Sequence, residues 1–191
     1  MREHLRPAIS LIVLFSLLCG VAYPLAVTGL ARLIFPEQAT GSLARKDGQV
    51  IGSWLVGQNF SQPGYFHGRP SAAGAQGYDA SASSGSNLGP TSKALRERIA
   101  TTVAALKAEN PGAASPADLV YASGSGLDPQ ISPAAALFQV PRVAATRGLD
   151  AAKLEQLIER HTEPRLLGLW GEPTVNLLAL NRALDALTTA P

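Results

Sequence analysis

The sequence predicts an α+β fold in which one N-terminal membrane helix precedes a single domain of mixed helices and strands. Three observations predict it. Residues 7–31 carry no charged side chain, apolar residues recur at helical spacing behind N-cap residues such as Ser132, and residues 50–56 are rich in β-branched and aromatic side chains. The chain has 191 residues, of which 46% are hydrophobic and 16% charged, enough for one ordinary domain and a membrane span. We therefore expect an anchor over residues 1–35 and a soluble domain over residues 36–191.

The uncharged run at residues 7–31 predicts a membrane helix that stays in the mature chain. As a helix it reaches roughly 37 Å, more than the roughly 30 Å hydrocarbon core of a bilayer. Arg6 and Arg32 flank it as basic residues flank a span. Pro24 predicts a bend, because proline lacks an amide donor and crowds the preceding turn. Basic residues lie on both sides of the run, so the charge bias does not decide its orientation.

Three other interpretations of this run are open. A cleaved secretory signal would have a shorter apolar run, and a lipid anchor on Cys19 would normally follow a small residue rather than Leu18. A buried core helix would not need the flanking arginines. We favour the retained anchor.

The first half of the soluble domain mixes a hairpin, a long loop and a helix. Residues 46–49 predict a turn that leads into a strand over residues 50–56. Residues 61–90 are so rich in Gly, Ser, Ala and Pro that we expect an irregular loop, and loops of this length are more often functional than neutral. Thr91 or Ser92 caps a predicted helix that ends near Asn110.

The second half begins with a short strand predicted over residues 118–122. Ser132 as N-cap and Pro133 at the first helical position predict a helix over residues 133–147, with a kink near Leu137 because of Pro141. Two more helices follow, one over residues 151–161 and one at the C-terminus that carries Leu180, Leu184 and Leu187 on one face. Between them, residues 165–170 and 173–177 predict a strand pair around Gly171-Glu172.

Familiar catalytic and metal-binding patterns are missing from the sequence. The three histidines, His4, His67 and His161, are far apart, and the single cysteine forms no metal-thiolate cluster. No G-x-S-x-G elbow and no phosphate-binding loop of the G-x-x-x-x-G-K-[ST] type occurs. The net charge of +2 is spread along the chain without a basic run, which argues against nucleic acid as a partner. We expect no metal site and no cofactor held directly by a recognisable motif.

Four segments in fixed order carry a resemblance to a known family. They read "GQNFSQPGYFHGRPSA", "SGSNLGP", "SGLDPQISPAAALFQVPRVAATRGL" and "GEPTVNLLALNRALD". Together with the N-terminal span they resemble the KdpC family, which belongs to the Kdp potassium-transporting P-type ATPase, over nearly the whole chain. The candidate interface and motif residues within or beside these segments are Gln58, Phe60, Tyr65, Phe66, Arg69, Pro70, Ser71, Ser86, Asn87, Ser125, Asp128, Ser132, Gln139, Arg142, Asn176 and Asn181.

The resemblance implies a non-catalytic accessory subunit of a bacterial inner-membrane pump, single-pass, with its mixed α/β domain extracytoplasmic, on the outer, periplasmic side. The implied partners are a channel-like K⁺-translocating subunit, a catalytic P-type ATPase subunit, a small membrane subunit and the lipid bilayer. ATP and K⁺ are used by that complex. The phosphorylated Asp-Lys-Thr-Gly signature of P-type ATPases is absent from this sequence, which fits a non-catalytic role. The resemblance further implies a chaperone-like effect that raises the ATP affinity of the catalytic subunit.

We expect the loop at residues 61–90 and the turn at residues 123–132 to form a surface that docks on the outer mouth of the ion-conducting subunit. Both segments consist mostly of small, turn-forming residues and carry few charges. Tyr65, Phe66 and Arg69 are the expected anchors. Taken one at a time, polar loop residues of this kind more often serve turns and caps than partners.

An alternative from another class is a membrane-anchored extracytoplasmic hydrolase or solute-binding domain. Such a protein would bring Ser123, Asp128 and His161 together in the fold, although no sequence pattern links them.

Overall fold

The computed structural model describes residues 2–189 of the chain, which divides into two compact units, Met1–Ile51 and Gly52–Pro191. Helices and short strands occur together in the second unit, so the predicted α+β class is confirmed.

The first unit begins with one continuous helical stretch. It consists of α1 (Arg2–Leu17), a π-helical turn (Leu18–Ala22) and α2 (Tyr23–Ile34). Within it, Glu3–Ile34 is a span of 32 residues that is long and apolar enough to cross a membrane, and its apolar window is 0% buried. The predicted membrane helix is therefore present as a candidate span.

The π-helical turn lies directly before Pro24, where the sequence predicts a bend. The Tyr23 amide donates to the carbonyl of Leu18, five residues back. A proline at the next position has no amide to continue the regular pattern. The wider turn is the local irregularity that accommodates it.

A short helix and a hairpin complete the first unit and lead into the second. They are α3 (Pro36–Ala39), β1 (Leu43–Lys46) and β2 (Gln49–Ser53), the two strands forming a two-stranded sheet. Asp47 and Gly48 in the connecting turn have φ values of 51° and 79°, the left-handed pair that a tight two-residue hairpin requires. The predicted turn is confirmed, although its second strand ends at Ser53 rather than at residue 56.

Four helices and a small sheet form the second unit. The helices are α4 (Lys93–Glu109), α5 (Pro133–Arg147), α6 (Ala151–Arg160) and α7 (Leu177–Thr189). The sheet has the order β3-β5-β4, with β3 (Gln130–Ile131) and β4 (Thr162–Glu163) both antiparallel to β5 (Thr174–Asn176). The core lies where α5, α6, α7 and β5 meet and includes Val143, Leu154, Ile158, Val175, Leu180 and Leu184.

The helix caps follow the sequence closely. Ser92 and Ser132 cap α4 and α5 by accepting hydrogen bonds from the amides of Leu95 and Ala135. Asp150 does the same for α6. Helix α5 continues through Pro141, which has no amide to donate to the Leu137 carbonyl four residues back. The neighbouring carbonyl, that of Phe138, accepts a hydrogen bond from the Asn110 side chain.

Two strand predictions are wrong. The segment at residues 118–122 begins instead as a 3₁₀ turn, Ala117–Leu119, because the Asp118 carboxylate accepts from both the amide and the hydroxyl of Ser132. Residues 165–170 do not pair with residues 173–177; they fold on themselves through a bridge between Leu166 and Trp170. β5 pairs with β3 and β4 instead.

Candidate functional site

The candidate site is built around residues 58–79, here called the motif loop, which contain neither helix nor strand. Despite this irregular backbone, Phe66 and Ala73 in the loop are fully buried. Buried backbone amides and carbonyls need partners, and in this loop side chains from the helices supply them.

Two buried amide side chains bind the backbone of consecutive loop residues. Asn181 of α7 accepts from the Phe66 amide at 2.9 Å and donates to the Phe66 carbonyl at 2.9 Å. Gln139 of α5 does the same for His67, at 2.7 and 3.0 Å. Each side chain is only 1% exposed. An amide side chain matches the donor and acceptor of one residue's backbone as a neighbouring strand would, so these residues replace a missing sheet partner.

Arg142 of α5 ties the start of the loop to α4. Its Nη1 donates to the carbonyls of Pro63 and Tyr65, the latter at 2.9 Å, and its Nη2 donates to Gln139 Oε1 at 2.6 Å. Its Nε pairs with Glu109 Oε1 at 2.9 Å. This guanidinium uses its fixed fork of donors to connect the loop and two helices.

Tyr65 lies at the outer edge of the motif loop. The Arg147 guanidinium stacks over its ring at 4.4 Å and pairs with Asp185 at 2.9 Å. The Tyr65 hydroxyl donates to the other oxygen of Asp185 at 3.2 Å, and Phe60 packs against the Tyr65 ring. The residue is partly exposed, so some of its surface meets solvent.

Arg69 and Phe66 do not fit the role of free anchors. Arg69 Nη1 pairs with Asp128 Oδ2 at 2.8 Å, with both side chains about three-quarters buried, and its carbonyl accepts from the Tyr78 hydroxyl at 2.5 Å. Burial and the nearby Asp128 carboxylate raise the pKa of Tyr78 to about 12. The fully buried Phe66 ring belongs to the core cluster. The prediction of Phe66 as an anchor is therefore wrong, and Arg69 joins the loop to the 123–132 turn.

The motif loop and the 123–132 turn are joined at a second point. The Ser71 hydroxyl donates to the Gly126 carbonyl at 2.6 Å and accepts from the Tyr78 amide at 2.7 Å. Gly126 has a φ of +68°, and a Cβ there would lie 2.7 Å from the Ser84 carbonyl oxygen and 2.8 Å from the Ala73 nitrogen. The contact leaves room for glycine alone.

The other predicted site residues hold local turns or the core. Asn176 donates to the Trp54 carbonyl at 2.8 Å and accepts from the Ala179 amide, Ser125 accepts from the Leu127 amide, and the Gln58 side chain lies against Gly52. Asn87 is exposed with a φ of 49°, a conformation that asparagine tolerates. Pro70 and Ser86 are partly buried.

Several residues at the site carry little signal in the sequence. Arg147 and Asp185 lie at the ends of two of the quoted segments, and Glu109 precedes the Asn-Pro-Gly stop of α4, so a search for charge pairs could have found them. Asp118 lies in a segment with the composition of a strand. Tyr78 has a left-handed φ of 59°, a conformation that the neighbouring sequence does not predict.

His67, near the centre of the motif loop, is partly buried. Burial lowers the pKa of His67 below its ordinary value, and the positive charge of Arg142 acts in the same direction, against a hydrogen bond to the Gln62 carbonyl. Both effects favour the neutral form of the ring over the charged form.

The residues of the hydrolase alternative are engaged elsewhere. Asp128 binds Arg69 and the Gln130 amide, and the His161 Nδ1 lies 2.9 Å from the Leu157 carbonyl of its own helix. A nucleophile, base and orienting acid need contacts with one another, and these contacts lead away from Ser123. Over the part of the chain that the structure describes, no group of three or more His, Cys, Asp or Glu residues is placed to hold a metal ion.

Comparison with known proteins gives one consistent result. The sequence profile of the family described as "KdpC: K+-transporting ATPase, c chain" matches residues 5–186. The potassium-transporting ATPase KdpC subunit of Rhodopseudomonas palustris (strain BisB5) is 58% identical over 199 residues, covering 98% of this chain and 99% of its own length. The protein of the same name from Caulobacter vibrioides (strain NA1000 / CB15N) is 62% identical, over 97% of this chain and 94% of its own length. The KdpC subunit of Gemmatimonas aurantiaca is 55% identical, over 100% of this chain and 97% of its own length.

Proposed function

The chain belongs to the KdpC family of K⁺-transporting ATPases, and from this premise we propose how its two units serve that complex. As a member of the family it is the accessory, non-catalytic subunit of the Kdp potassium-transporting ATPase. We propose that the helical unit holds it in the bacterial inner membrane, that its second unit lies on the outer side, and that the motif-loop edge docks on the channel-like K⁺-translocating subunit.

The observation that carries the docking proposal is the rigid hold on the motif loop. Asn181, Gln139 and Arg142 bind its inner side, so its outer edge is ordered before any partner arrives. A preordered surface loses less conformational freedom on binding. The edge forms a cleft lined by Gln62, Pro63, Gly64, Tyr65, Thr146 and Arg147. Tyrosine and arginine are the residue types that most often dominate binding energy at protein interfaces.

Photo-crosslinking in the assembled complex tests this surface. A benzoylphenylalanine at exposed Gln62 should crosslink to the channel-like subunit, while the same group at exposed Lys153 on α6 serves as the control. A crosslink from position 62 to the catalytic subunit, or equal yields from both positions, would overturn the docking assignment.

The side of the membrane is tested by labelling. Cys19 is the only cysteine, so a Cys19→Ser background is free of thiols in this chain. Glu159→Cys on the exposed face of α6 should then react with a membrane-impermeant maleimide in intact spheroplasts. Labelling only after lysis would place the domain on the inner side.

The effect on ATP affinity is a second part of the proposal. A domain on the outer side cannot touch a nucleotide bound in the cytoplasm, so any effect must travel through packed helices as a coupling free energy. In a complex that carries only residues 1–51 of this chain, the ATP concentration for half-maximal activity should then rise at least about fivefold. A fivefold change is about the lower end of typical coupling between two sites. Unchanged ATP dependence with normal pumping would leave the subunit as a purely structural tether.

A further inference from the structure

One surface of the second unit has no part in the contacts of the motif loop. Residues 165–170, here called the apolar tip, expose Leu166, Leu167, Leu169 and Trp170 by 68%, 78%, 73% and 63%. Among the described large apolar residues of the second unit, only Leu55, at 64%, is as exposed. Contiguous exposed apolar surface of this kind marks contact with a membrane or another protein.

Four backbone amides of the tip, those of Leu166, Gly168, Leu169 and Trp170, are paired within the tip. The Leu166 amide donates to the Trp170 carbonyl at 2.8 Å, and the Trp170 amide donates back to the Leu166 carbonyl at 3.1 Å. The amides of Gly168 and Leu169 donate to the carbonyls of Arg165 and Leu166, at 2.9 and 3.1 Å. Each internally paired amide lowers the cost of moving the tip out of water, because lipid offers no hydrogen bonds in exchange.

Leu167 shows that the apolar side chain is kept at a cost. Its φ is 53°, in the left-handed region that favours glycine and asparagine. A leucine there strains the backbone and exposes its side chain to water, and neither cost is returned by a contact within the domain. Strain of this kind collects where a residue serves function.

We propose that the apolar tip inserts into the interfacial layer of the bilayer that this chain's own helix spans. The five residues after Arg165 carry no charged or hydrogen-bonding side chain except the indole of Trp170, and tryptophan concentrates at membrane–water interfaces. Arg165 at the base pairs with Glu172 at 2.7 Å, so insertion does not require anionic lipid. A protein pocket would be expected to meet polar groups as well as leucines.

Chain connectivity keeps the tip near lipid. Residues 35–51 join the membrane helix to the second unit and span roughly 60 Å at most when extended, so the second unit cannot move farther than that from the end of the helix. Tethering of this kind raises the effective concentration of a weak second contact. The inference goes beyond the docking proposal and holds on either side of the membrane.

Fluorescence quenching of the full chain in lipid vesicles tests the insertion. The chain has two tryptophans, so Trp54→Phe leaves Trp170 as the sole reporter, and Trp170→Phe leaves Trp54, which stacks with Arg182 at 5.3 Å. In vesicles of phosphatidylethanolamine and phosphatidylglycerol with brominated acyl chains, Trp170 should show blue-shifted emission and lose intensity. Trp54 should do neither.

A matched variant separates insertion from folding. Leu167→Asn suits the left-handed φ, and Leu169→Gln replaces an apolar side chain by a polar one of similar size. The double variant should therefore retain the fold, while quenching of Trp170 by brominated lipid is lost. Quenching of Trp170 by aqueous acrylamide but not by brominated lipid would overturn the proposal. So would a benzoylphenylalanine at position 167 that crosslinks, in the assembled complex, to a partner subunit and not to lipid.

Discussion

The motif loop and the apolar tip show opposite ways of using a connecting segment. The motif loop has no regular backbone pairing of its own, and side chains of α5 and α7 bind its main chain. The tip pairs its own backbone, and its side chains have no cover. The difference teaches that a dense set of polar motif residues can serve the fold, while the surface left for other molecules lies where side chains have no internal task.

Removing the Asn181 amide is expected to have the largest effect on the motif loop. Asn181→Ala leaves the buried amide and carbonyl of Phe66 without partners and opens a cavity in the core. We expect a loss of about 4 kcal/mol in the free energy of unfolding, from two unsatisfied groups and the lost volume. Thermal unfolding of the detergent-solubilised full chain measures it.

Asn59→Ala is the matched control, because Asn59 lies in the same loop and is exposed. Its effect should stay within about 0.5 kcal/mol. Equal losses in the two variants would mean that the loop is not held by α7.

Glycine at position 126 tests the junction between the loop and the 123–132 turn. In Gly126→Ala the new methyl group meets Ser84 and Ala73 at a left-handed φ, so we expect a loss of about 3 kcal/mol. Gly124→Ala is the control, since nothing lies within 4 Å of a Cβ there. Similar unfolding temperatures for the two alanine variants would show that the junction gives way easily.

The ion pair between Arg69 and Asp128 should contribute less. Both side chains are about three-quarters buried, between a surface pair and a core pair, so a double-mutant cycle with alanine at each position should give a coupling of about 1 kcal/mol. Each single variant should also weaken the complex by loosening the loop. If Arg69→Ala weakens assembly while Asp128→Ala does not, Arg69 contacts a partner directly.

Acid should weaken the motif loop through His67. Because its pKa is lowered in the folded state, the unfolded chain takes up a proton more readily as the pH falls below the ordinary value of 6.5. Stability is therefore fully present above pH 6.5 and declines below it. His67→Gln should flatten the decline in unfolding temperature that the parent chain shows below that pH, and parallel curves for both would contradict the assignment.

Local signals in the sequence predict most elements but not the direction of side chains. Ser132 followed by Pro133 predicts the start of α5, and the structure confirms it. Residues 165–170 have the composition of a strand, yet Gly168 with φ 73° and Leu167 with φ 53° close them into a turn. The quoted segments contain Phe66, Asn181 and Gln139, but pairings between residues more than seventy positions apart depend on tertiary packing. The quoted segments therefore contain many of the residues around the motif loop, but the sequence does not separate those that hold the loop from those that could bind a partner.

The smallest expected effect sharpens the comparison from the side of the tip. Leu167→Asn places a residue that tolerates the left-handed region where leucine is strained, and it removes an apolar side chain that contacts water rather than the core. We expect the free energy of unfolding in detergent to rise by about 0.5 kcal/mol or stay unchanged. Leu180→Asn on α7, at a fully buried position, is the contrasting control and should unfold the domain. A substantial loss of stability in Leu167→Asn would mean that the tip packs against the domain. The leucines of the tip would then serve the fold rather than a contact with another molecule.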